Sequence, residues 1–154
     1  MKPVVAVALM LVTTINLAAC ARTPSAGLPA DALDQAIGRS IGDPTTCVII
    51  ADGASRETLY RYGQDFNCER GLPACDRPGA LSAKDALALA ASGGGRTASC
   101  ASNADGSRSV GWAAGKIDSS KRNLIYSAVM EGDRALPGEE MSARLSQAFQ
   151  NAGL

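Results

Sequence analysis

Histidine is absent from the chain. That removes the common nitrogen ligand of zinc sites and the most frequent base partner of a cysteine or serine nucleophile. Aromatic residues make up only 4% of the sequence, with a single tryptophan, so a core has few large side chains to fill it. The 15 acidic and 15 basic residues balance, and the basic ones are scattered, which excludes the positive surface that nucleic acid demands. No apolar run reaches the roughly 20 residues of a membrane-spanning helix.

What is present begins with a leader. Lys2 supplies a positive charge, residues 4–12 are unbroken apolar, and Ile15 and Leu17 extend the run. This is the layout of a secretory signal. Its end, Leu17-Ala18-Ala19-Cys20, resembles the lipobox of bacterial lipoproteins. The resemblance implies that residues 1–19 are removed, that Cys20 is acylated at its thiol and new amine, and that the lipid holds the protein at a membrane. Several acyl chains suffice for this, since each buried methylene contributes about 0.8 kcal/mol. Ala21 follows the cysteine where inner-membrane lipoproteins carry Asp, so the resemblance points to the outer membrane, facing the periplasm. Ordinary cleavage after Ala19, leaving Cys20 as a plain thiol, is the alternative. Loss of Lys2 leaves the exported chain with one acidic residue in excess.

Four further cysteines remain, Cys47, Cys68, Cys75 and Cys100. An even number in an exported domain reads as disulfides rather than metal ligands, and three pairings are open. Cys68 and Cys75 share one loop and can close locally. Cys47 and Cys100 fall in two expected strands, where a cross-sheet bridge is the natural form.

Residues 20–30 read as a linker and 31–154 as one small domain. Apolar residues at helical spacing predict a helix over 31–41. The β-branched run 47–51 predicts a strand buried on both faces, followed by a turn at Asp52-Gly53 and a returning strand over 57–62. Residues 63–80, rich in Gly and Pro, predict a cross-linked irregular loop. Ser82 with Asp85 reads as a capping box opening a short helix. Gly93-Gly94-Gly95 ends that helix; it lacks the Lys-Ser/Thr of a phosphate loop, and no cofactor is expected. Strands follow over 97–101, 110–117 and 123–130. Small residues beside Trp112 point to a close approach by another element. A last amphipathic helix opens at Leu136-Pro137-Gly138, with Glu139 and Glu140 at its positive end.

The order α-β-β-α-β-β-β-α predicts an α+β domain, a five-stranded antiparallel sheet with the N- and C-terminal helices packed on it. The order is similar to that of profilin-like and roadblock-like domains. The segment from Val110-Gly111-Trp112 to Lys116-Ile117, the strand 124–130 and the closing helix also resemble the last hairpin and helix of penicillin-recognising serine hydrolases such as class D β-lactamases. Leu72-Pro73-Ala74-Cys75 falls where that family has its nucleophile segment. The resemblance stops short of the machinery. Cys75 is followed by Asp76, Arg77 and Pro78 with no lysine, Ser82 and Lys84 stand one residue too close, and no Lys-Thr-Gly precedes Val110.

The reading is a non-catalytic envelope lipoprotein, anchored through Cys20, that binds a partner protein or cell-wall component. The alternative is a divergent β-lactamase-like or penicillin-binding acyl-transfer domain using Cys75 or Ser82. The loop of residues 63–79 with Trp112, Arg77 and Tyr62 is the expected binding surface.

Overall fold

A computed structural model describes residues 27–154. The leader, Cys20 and the linker up to residue 26 lie outside the described residues. Eleven elements follow in order: α1 (Ala30–Ile41), β1 (Cys47–Asp52), β2 (Thr58–Tyr62), α2 (Asp65–Glu69), β3 (Leu72–Pro73), β4 (Ala80–Leu81), α3 (Ala83–Ala91), β5 (Arg96–Ala101), β6 (Ser109–Lys116), β7 (Leu124–Gly132) and α4 (Gly138–Asn151). The five long strands form one antiparallel sheet in the order β2-β1-β7-β6-β5. The α+β architecture expected from the sequence is the observed one.

Strand β7 lies at the centre and is buried along its whole length. Its alternate residues feed two separate cores. Leu124, Tyr126, Ala128 and Met130 face α1 and α4, where Leu33, Ile37, Met141, Leu145 and Phe149 pack against them. Ile125 and Val129 face α3, which offers mainly alanines, Ala83, Ala86 and Ala90. Ser127 points the same way and donates to the Ala83 carbonyl at 2.7 Å, fixing the start of α3 to the sheet. The capping box of Ser82 and Asp85 forms as expected.

The close approach at Trp112 is real and comes from α4. A Cβ at Gly111 would stand 2.0 Å from the Leu136 carbonyl oxygen, and one at Gly138 would stand 2.2 Å from the Trp112 carbonyl oxygen. Only glycine at both positions lets the entry to α4 cross the sheet at contact distance.

Two findings depart from expectation. Residues 63–80 are not irregular throughout: they hold α2 and the small β3–β4 hairpin. Both disulfides form, but as Cys47–Cys68 and Cys75–Cys100, with Cα separations of 5.3 and 5.4 Å. A Cys47–Cys100 bridge is excluded because β7 and β6 stand between β1 and β5. Three strand spacings come to about 14 Å, twice the reach of a disulfide. The local Cys68–Cys75 bridge gives way because α2 turns Cys68 into the core over β1, while Cys75 lies across β5.

Candidate functional site

The residues expected to form one binding surface are not brought together. Trp112 is fully buried. Its Nε1 donates to the Pro73 carbonyl at 2.8 Å, and the Arg96 guanidinium lies 5.9 Å from its ring centre. It is the floor beneath the β3–β4 hairpin, so it offers nothing to a partner. Tyr62 is half-buried in the core on the opposite face, beside α1. A Cβ at Gly38 would meet its hydroxyl at 3.3 Å. Arg77 alone is exposed, at the tip of the hairpin, and it bonds its neighbour Asp76 at 3.1 Å. The sequence puts Arg77 in a loop and Trp112 and Tyr62 in strands, and the alternation of the sheet sends those two to different sides.

The two candidate nucleophiles are also engaged. Cys75 is cross-linked to Cys100. The Ser82 hydroxyl donates to Asp85 at 2.7 Å and accepts from the Asp85 amide at 3.2 Å, inside the helix cap.

Buried charge concentrates on the α3 side. Glu131 of β7 is 5% exposed. It accepts from Arg108 Nε and Nη2 at 2.9 Å each, from Ser102 Oγ at 2.7 Å, and pairs with Arg70 at 3.1 Å. The Arg108 fork, more than any other partner, holds its pKa down, to about 2. A carboxylate so fully occupied has no capacity to act as a base near neutrality. It acts as a clasp joining α2 and the β5–β6 turn to the central strand. Arg96 is the second buried charge, bonded through Nη2 to the Ala74 carbonyl at 2.5 Å and to Asp76 at 2.7 Å.

The arrangement most suited to recognition lies elsewhere, where α1 ends and β7 leaves the sheet. A cleft of about 310 Å³ opens there. Its floor is apolar, from Ile41 and Met130, and its rim carries Arg39, Arg134 and Arg144. Arg144 donates to the Ser40 carbonyl at 3.0 Å and pairs with Glu140. Arg39 bonds the neutral Gln35 side chain. Arg134 is 82% exposed and stands 3.8 Å from Asp43, the carboxylate on the same rim. The Thr45 amide, followed by its hydroxyl, accounts for most of the lowering of Asp43's pKa, so it is ionised at neutral pH. Three guanidinium groups against two carboxylates, Asp43 on the rim and Glu140 beside Arg144, leave the rim one positive charge in excess beside apolar Ile41 and Met130, chemistry that suits a carboxylate carried on an apolar stem.

No protein-family model, curated protein or solved structure matches the chain. The geometry therefore carries the functional argument. Among the described residues no cluster of carboxylates and cysteines is placed to hold a metal, and no helix is long and apolar enough to cross a membrane.

The cleft escaped the sequence reading because its three arginines belong to α1, the β7–α4 connection and α4. Nothing in their spacing signals that they meet. The cleft also has a defined position. Gly27, Leu28 and Leu154 line a second cleft with the β6–β7 turn, at the start of β7, whereas the arginine cleft adjoins its end. The nine residues of β7 separate them, about 26 Å at 3.3 Å per residue.

Proposed function

We propose that this protein is a lipid-anchored component of a bacterial cell envelope that works by binding rather than by catalysis. Acylated Cys20 fixes it to the membrane, on the outer-membrane side of the periplasm. Its arginine-rimmed cleft takes a carboxylate-bearing segment of an envelope protein or cell-wall component. The observation that carries this reading is the polarity of the fold. The described chain starts at Gly27, at the opposite end of the sheet from the arginines. Only residues 21–26 separate it from Cys20, at most about 25 Å of chain. A tether of that length keeps one end of the domain near the lipid and turns the cleft outward.

Separate measurements test the two halves. Mass spectrometry of the exported protein should find a diacylglyceryl group and an amide-linked acyl chain on Cys20. Cys20→Ala should move the protein to the soluble fraction. An unmodified, freely soluble wild type would overturn the anchoring. For the binding half, a pull-down of the tethered protein from membranes should recover a partner that Arg134→Glu with Arg144→Glu no longer retains. Equal recovery by that variant would remove the cleft from the reading. The acyl-transfer alternative gains no support from the site, where Cys75 is cross-linked and Ser82 is held in a cap. Covalent labelling of Ser82 by a fluorescent β-lactam would revive it.

A further inference from the structure

The two disulfides differ in what can reach them. Cys47 and Cys68 are both 0% exposed, sealed between β1, α2 and α3. Cys75 and Cys100 are both half-buried. Cys100 lies on β5, which among the described residues has no strand on its outer side. Thiol–disulfide exchange begins with a thiolate attacking a sulfur along the S–S axis, so access decides which bond reacts.

The second bond also closes a distinct structure. Residues 72–81 form a hairpin whose strands are two residues each, too short to be stable alone. The hairpin covers Trp112 and Arg96. Three hydrogen bonds seat it: Trp112 Nε1 to Pro73, Arg96 Nη2 to Ala74, and Arg96 Nη2 to Asp76. The Cys75–Cys100 bond is its covalent fastening to the sheet. The hairpin is held at a cost. Cys75 sits at φ +66°, a left-handed conformation that disfavours a residue bearing a Cβ. Beneath it Arg96 has a 5% exposed side chain whose Nε and Nη1 find no partner among the described residues, a desolvation that unseating would relieve.

We propose that Cys75–Cys100 is a site of thiol–disulfide exchange, taking a dithiol as co-substrate, and that its reduction releases the 72–81 hairpin to uncover Trp112 and Arg96. One thiolate of the dithiol bonds to a sulfur of the pair, the Cys75–Cys100 bond breaks, and the departing cysteine thiolate takes up a proton. The second dithiol sulfur then displaces the first cysteine, so two electrons pass to the protein and the dithiol leaves as an internal disulfide. Cys47–Cys68 stays closed throughout and preserves the fold. None of this depends on how the protein is tethered.

The single tryptophan gives the proposal a direct readout. The exported full chain is treated with increasing dithiothreitol under native conditions. Free thiols are trapped by alkylation and mapped by peptide mass spectrometry, while Trp112 emission and its quenching by acrylamide are followed. Cys75 and Cys100 should be alkylated at least about tenfold faster than Cys47 and Cys68. Emission should shift to the red and quenching rise in step with that first phase, with the far-ultraviolet circular dichroism unchanged. Cys75→Ser with Cys100→Ser should show the quenched behaviour without reductant. Reduction of both pairs at one rate, or only alongside loss of the dichroism, would overturn the selectivity. Selective reduction with Trp112 still shielded would overturn the release.

Discussion

The two faces of the sheet are built on different principles. On one, α1 and α4 lay Leu33, Ile37, Leu145 and Phe149 onto β7 and its neighbours, with no cross-link among the described residues. On the other, α3 brings alanines, and the space is closed by two disulfides, the Glu131 clasp and the Arg96 contacts. Of the buried polar residues, Asn67, Arg96, Ser127 and Glu131 belong to this second face. A short chain with few aromatics cannot make two large apolar layers. Here most of the large side chains went to one layer; the other keeps Trp112, Ile49 and Ile125 and is completed by covalent and ionic ties.

That contrast can be broken from either side. The largest effect should come from the apolar face. Leu145→Ala, at a fully buried position, should cost about 3–5 kcal/mol, read as a lower urea midpoint, and the loss should be the same with or without reductant. Next comes Cys47→Ala with Cys68→Ala, which should cost about 3 kcal/mol for a loop of this length. An equal urea midpoint for wild type and variant would show that the stapled face needs no staple.

Glu131→Gln should follow, and its loss depends on pH. A carboxyl whose folded pKa lies below its unfolded value stabilises the fold above the unfolded value and loses that contribution as pH falls through the folded one. For Glu131 the contribution is whole at neutral pH and fades as pH drops from about 4.5 to about 2. The variant should be about 3 kcal/mol less stable at pH 7 and converge on wild type near pH 2. Parallel curves across that range would mean that the clasp contributes nothing as an ion pair. The smallest effect should be Ser82→Ala, about 1 kcal/mol from the lost cap, seen in the thermal midpoint.

The same contrast decided what could be read from the sequence. The apolar face depends on periodicity, and periodicity is local: the stripe of α4 and the continuous run of β7 were both legible. So was the α3 capping box, a four-residue pattern. The stapled face depends on partners far apart in the chain. Which cysteine meets which follows from strand order, and a five-residue helix such as α2 is too short to show a period. Trp112 was open to two readings, a binding side chain or, more commonly for a lone strand tryptophan, core, because a strand residue in an unknown sheet has no assigned side; it is core. The cleft arginines needed the end of α1 and the end of β7 to be placed together first.

The pairing of β1 has a consequence for how the polypeptide reaches this state. Its second neighbour is β7, with Cys47 set against Val129. The first hairpin therefore waits with an open edge until the last strand has been delivered. Folding is dominated by distant partners, which makes it slow relative to a helical protein of equal size. Whatever end-first route delivers the chain, the sheet has no centre until β7 arrives, so the first hairpin stays a two-stranded ribbon, marginal by itself, for most of that time.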